Sequence, residues 1–122
     1  TQSGLADFRE AAWPSHYELW GSFVDEDCKR HLSATPWACS LANYSWPYVT
    51  SKMFFTQSES DEVVLGAHDW VPVPPSSWTA PVTAYVQDWS RNMTSALDAV
   101  IARRGDDVGV FAAACFIHTG FT

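Results

Sequence analysis

The chain has 122 residues, 47% of them apolar, and a formal net charge of -7. That length suits one domain and is short for two, and the apolar share belongs to a folding chain, not a disordered one. The acidic balance argues against a nucleic-acid surface, which is built from clustered Lys and Arg, and against anchoring on an anionic membrane. Seven residues are Trp and 15% are aromatic. Such side chains line carbohydrate or acyl sites or fill a core, and the large area they bury favours the core.

The chain opens on the polar run Thr1-Gln2-Ser3-Gly4, without a charged-then-apolar targeting segment. From Leu5 to Trp20 it is weakly amphipathic and interrupted at Trp13-Pro14, which predicts short helices. Asp25-Glu26-Asp27 and Ser33-Ala34-Thr35-Pro36 read as loops. Three cysteines occur without a CxxC or Cys/His metal spacing, so neither a metal nor another cofactor is expected. Cys28 and Cys39 bracket a short polar loop and are the candidates for a small disulfide. Cys115 is then a buried free thiol or half of a bridge to something outside this sequence. Two Asn-x-Ser/Thr sequons, at Asn43 and Asn92, are candidate glycosylation sites. Together these features lean towards an oxidising compartment: secreted, extracellular or the lumen of the secretory pathway.

Residues 1–50 thus form a helical and loop region. Residues 51–122 carry a different pattern. Ser51-Lys52-Met53-Phe54-Phe55-Thr56-Gln57 is a short apolar run that predicts a buried strand, with Ser58 to Asp61 as the loop at its C-terminal end. Pro72, Pro74, Pro75 and Ser76-Ser77 keep the next section irregular. A helix follows from about Pro81 to Arg104. Val82, Tyr85, Val86, Trp89, Met93, Ala96, Leu97 and Val100 recur at three- and four-residue spacing on one face. Pro81 suits a first helical turn, Arg103-Arg104 complement the dipole at the far end, and Gly105 supplies the stop. After an Asp106-Asp107 turn, Val108 to Phe116 is a near-continuous apolar run, the pattern of a strand buried on both faces of a parallel sheet. No apolar run approaches the roughly 20 residues of a membrane-spanning helix.

Strand, loop, long helix and strand make a βαβ crossover, the unit of α/β folds, whose active sites lie beyond the C-terminal ends of the strands. Asp61 and His118 each stand just past one of those ends. A hydroxyl nucleophile needs a base to take its proton. Histidine suits that task near neutral pH, and a carboxylate fixes its tautomer. In α/β-hydrolases the chain order is Ser, then acid, then His, so this pair matches the last two members. A Gly-x-Ser-x-Gly elbow for the first does not occur in the sequence. The competing reading is a capping Asp and a loop His at a sheet edge.

Met53-Phe54-Phe55-Thr56-Gln57-Ser58-Glu59-Ser60-Asp61-Glu62 resembles the strand and acid loop of the Notum and pectin acetylesterase family. Gly109-Val110-Phe111-Ala112-Ala113-Ala114-Cys115-Phe116-Ile117-His118 is similar to that family's closing strand and Cys-x-x-His motif. Tyr85-Val86-Gln87-Asp88-Trp89-Ser90-Arg91 resembles the joining helix of the Notum branch. Cys28 with Pro36-Trp37-Ala38-Cys39 resembles its cysteine-bracketed loop. The likeness runs from about Leu19 onward. It implies the C-terminal part of a single α/β-hydrolase domain, with residues 1–50 on the lid side and residues 51–122 bearing the acid and base. It further implies a secreted serine hydrolase of carboxylic esters, with Asp61 and His118 as catalytic acid and base and an acyl ester on a glycan or protein as substrate. The serine and the oxyanion loop would come from an N-terminal half or a second polypeptide. Ser40-Leu41 stand where Notum-like enzymes are aromatic, so acyl specificity does not carry over.

Trp70 and Trp78, in the Pro-rich stretch after the acid loop, are candidates for a lid or substrate wall, or else cover the helix. His16, His31 and His68 lack metal-like spacing, and Glu62 and Asp69 are expected to face solvent. Two other readings compete with the esterase: a non-catalytic truncated homologue acting as a structural or interaction subunit, and a Trp-rich glycan- or lipid-binding module.

Overall fold

The computed structural model describes residues 10–118; the expected start of the weakly amphipathic stretch at Leu5 lies outside them. The chain divides into two compact units, one ending at Ser51 and the other beginning at Lys52.

The first unit is helical. A 3-10 turn at Glu10–Ala12 leads into α1 (Trp13–Trp20), where Pro14 sits in the first turn and needs no N–H partner. Gly21 ends α1 at φ 56°, with its N–H on the Glu18 carbonyl and that of Ser22 on the Tyr17 carbonyl, a Schellman closure. Asp25-Glu26-Asp27 are not a loop, as expected from the sequence, but the start of α2 (Glu26–His31). The Asp25 carboxylate accepts from the Cys28 N–H at 2.8 Å, while Lys29, Arg30 and His31 occupy the last turn. Acid at the N-terminus and base at the C-terminus both oppose the helix dipole. A 3-10 turn (Pro36–Ser40) and the short α3 (Ala42–Ser45) follow. Cys28 and Cys39 are joined in a disulfide and buried with Val24, against Tyr17, Leu32 and Tyr48.

The second unit is a strand–helix–strand. β1 (Met53–Ser60) and β2 (Val108–Phe116) form a parallel two-stranded sheet, and α4 (Ala80–Arg104) packs on both strands. β1 runs three residues past the expected end at Gln57, because its ladder with β2 continues through Ser58 and Ser60. Gly105 stops α4 at φ 53° and ψ -123°, a backbone position that strains any L side chain. Val86, Leu97 and Val100 are buried along one face of α4. Tyr85 and Ala96, expected on that face, are instead exposed at its margin.

Between β1 and α4, Glu62–Val63 open a helical segment that widens to a π-turn at Val64–His68. Leu65, fully buried, packs with Val71 and Val86, and Trp78, Val82, Trp89 and Phe116 close around them. This core fastens the segment after β1 to both α4 and the end of β2. Contrary to the apolar pattern, β2 is not buried on both faces. Phe111 is 49% exposed, and Phe54 on β1, which pairs with Gly109, is 70% exposed. The sheet has only two strands among the described residues, and α4 covers one side of them. Cys115, expected to be buried if free, is free and exposed for the same reason.

Candidate active site

β1 and β2 end side by side, and the first residue after β1 is Asp61. Its side chain is 7% exposed, and its carboxylate does two things. Oδ1 accepts the backbone N–H of Val63 at 2.9 Å and of Val64 at 3.0 Å, while the Asp61 carbonyl accepts from Leu65 N–H. Asp61 is therefore the N-cap of the helical segment. The same carboxylate faces the ring of His118, whose Nδ1 lies 2.9 Å from Oδ1 and 2.8 Å from Oδ2.

Burial by itself would raise the Asp61 pKa. The Val64 N–H, the hydrogen bond and charge of His118, and the Val63 N–H outweigh it, and the carboxyl is held below its ordinary value. An ionised carboxylate only accepts, so Nδ1 of His118 carries a proton, and in the neutral ring the lone pair is then on Nε2. The His118 side chain is 45% exposed. A buried carboxylate thus stands behind a partly exposed imidazole.

The meeting of Asp61 and His118 depends on an irregularity. Along the ladder each residue of β1 faces one 55 positions later, as Met53 faces Val108 and Ser58 faces Ala113. Continued regularly, that register would set Phe116 beside Asp61. Instead Ser60 faces Phe116, so β2 has gained one residue in a bulge. A tight turn then brings the Ile117 N–H onto the Cys115 carbonyl at 3.0 Å, and the His118–Asp61 separation becomes 57.

Ser58, which sequence reasoning treated only as the start of a loop, lies at this irregularity. It is 1% exposed, and its hydroxyl donates to the Cys115 carbonyl at 2.5 Å. That commitment leaves it no freedom to act as a nucleophile. Nothing in the sequence singled it out, because Ser58 stands in the polar run Thr56-Gln57-Ser58-Glu59-Ser60. The capping role of Asp61 was legible, since Val63-Val64-Leu65 follow it as an apolar helical start.

The other predicted residues fall elsewhere. Trp78 is half-buried, with its indole N–H on the Pro72 carbonyl at 2.6 Å and its ring edge-on to Phe116. Trp70 is 56% exposed and adopts φ 61°, an uncommon backbone for a bulky residue. Asp69, expected to face solvent, is half-buried and accepts the Tyr85 hydroxyl at 2.8 Å, because α4 passes beside it. His16 stacks on Trp20 and His31 on Tyr48. Asn43 and Asn92 are exposed on α3 and α4. Among the described residues no cluster of His, Cys, Asp or Glu is arranged to hold a metal, and no helix is long and apolar enough to cross a membrane.

What fold and site define is a mixed α/β unit that brings a carboxylate and an imidazole together at the ends of parallel strands. Two crystal structures of the Wnt deacylase Notum from Drosophila share this fold. One is 24% identical with a TM-score of 0.77, the other 23% identical with a TM-score of 0.75, and each match covers 97% of this chain. The chain has a Notum-like fold and spans 31% and 30% of the length of those two chains. No protein-family model and no curated protein sequence matches it.

Proposed function

We propose that this chain is the C-terminal segment of a secreted serine carboxylic-ester hydrolase and supplies the acid and base of its triad. The observation that carries the reading is the two-oxygen contact of Asp61 with His118 Nδ1 at the ends of adjacent parallel strands. The fold shared with a Wnt deacylase supports it, since deacylation is hydrolysis of an acyl bond. In this reading His118 Nε2 takes the proton of a serine hydroxyl as that oxygen attacks the acyl carbonyl. Asp61 stabilises the resulting imidazolium, and His118 then returns the proton to the departing alcohol. Water repeats the sequence and releases the acid.

The serine and the oxyanion donors belong to polypeptide outside this sequence, an N-terminal part of the same α/β-hydrolase domain or a second chain. Trp70, with its exposed ring, and Trp78 form part of a substrate wall. The Cys28–Cys39 disulfide and the exposed sequons at Asn43 and Asn92 support passage through an oxidising, glycosylating compartment.

Fluorophosphonate labelling of the native assembly tests the proposal. The expected result is a labelled serine outside these 122 residues, with labelling abolished by His118→Ala. An assembly that never labels would instead make the chain a non-catalytic structural or interaction subunit.

A further inference from the structure

We infer that Ser58 is a positioning residue for the Asp61–His118 pair, its hydroxyl holding the two strand ends in the shifted register that the pair requires. The inference rests on the catalytic reading of that pair. Its evidence is separate. The ladder partners are 55 positions apart, whereas Ser58 and Cys115 are 57 apart, the same separation as Asp61 and His118. The hydroxyl thus reaches past its ladder partner Ala113 to the carbonyl two residues further on. Ser58 stands three residues before Asp61, and Cys115 three before His118. The side-chain bond is therefore a rung in the register of the functional pair, made three residues earlier on both strands.

Elementary energetics explain why a side chain makes this rung. At a bulge one backbone carbonyl of the longer strand loses its regular partner. The Cys115 carbonyl accepts from the Ile117 N–H, which turns the chain towards His118, and the Ser58 hydroxyl takes its other side. The same hydroxyl oxygen faces the Ser60 N–H at 3.4 Å. Because Ser58 is 1% exposed, water cannot replace it. Alanine would leave the carbonyl with the γ-turn bond alone and let β2 slide relative to β1, while threonine retains the hydroxyl.

The test compares wild type, Ser58→Ala and Ser58→Thr in two measurements. In the native assembly, with ¹⁵N-labelled histidine in this chain, NMR reads the hydrogen-bonded Nδ1 proton of His118, and circular dichroism on the same sample reports the folded fraction. The downfield proton is expected in wild type and Ser58→Thr and lost in folded Ser58→Ala. In the native assembly, the fluorophosphonate labelling rate is expected to fall about 10- to 100-fold in Ser58→Ala, as for a small misplacement of a catalytic group. Ser58→Thr should stay within about threefold of wild type, given that it keeps the donor. Retention of the proton and of the wild-type rate in Ser58→Ala would overturn the inference. Loss of both in Ser58→Thr as well as Ser58→Ala would also overturn it, because the requirement would then be for volume and not for the hydroxyl. Absence of labelling in wild type, with the Ser58-dependent proton intact, would instead count against the catalytic reading.

Discussion

At the scale of single residues, Asp61 serves two structures at once. It caps the helical segment that follows β1 and orients the ring that ends β2. Its pKa is lowered in the fold, so its stabilising contribution is present above the unfolded carboxyl value of about 3.9 and is lost as pH falls through the lower folded value. Wild type should therefore lose stability below about pH 4 more steeply than Asp61→Asn, which has no carboxyl to titrate there. Thermal melts between pH 2 and 7 check this, and parallel pH profiles for the two proteins would contradict it. Sequence reasoning located Asp61 and His118 from strand ends and motif. It passed over Ser58, because a hydroxyl that bonds a carbonyl 57 residues away is indistinguishable, in one dimension, from any serine at a strand end.

At the scale of elements, the segment from Glu62 to Trp78 is more ordered than its prolines suggest. Leu65 turns into the core shared by Val71, Val86 and Phe116, and side-chain bonds run from Tyr85 to Asp69 and from Trp78 to Pro72. Leu65→Ala should cost about 2–5 kcal/mol of unfolding free energy, the range for a large-to-small change at a buried site. Chemical denaturation followed by Trp fluorescence measures it, and a loss well under 1 kcal/mol would mean that this core does not hold the segment. The helix α4 was plain in the sequence from its periodicity and its Gly105 stop, and it begins one residue before the expected Pro81. The α2 start was not plain, because Asp25-Glu26-Asp27 suits a loop as well as a capped helix. Only the Asp25 bond to the Cys28 N–H, with Cys28 buried against Cys39, decides between them.

At the scale of the whole molecule, the second unit carries a sheet of two strands among the described residues, with Phe54 and Phe111 exposed on one side. The ring of Phe54 lies across Gly109, where an added Cβ would come within 2.4 Å of it, so the small residue lets an aromatic side chain lie flat on the sheet. Exposed strand edges and apolar surface favour association. The 122-residue chain alone should therefore self-associate in sedimentation, and Phe54→Lys should shift it towards monomer; a well-folded wild-type monomer would contradict this. The sequence by itself determined the βαβ unit, the disulfide-bracketed loop and the two residues at the strand ends, because periodicity, punctuation and strand-end placement are local properties. The tertiary structure alone decided that β2 is half exposed and that one carboxylate both caps the helical segment and faces His118. It also decided that a bulge and a buried serine hydroxyl set the register between them. Those outcomes depend on which backbone groups lose their regular partners when two strands 55 residues apart in the ladder must meet at 57. That mismatch exists only once the strands are paired.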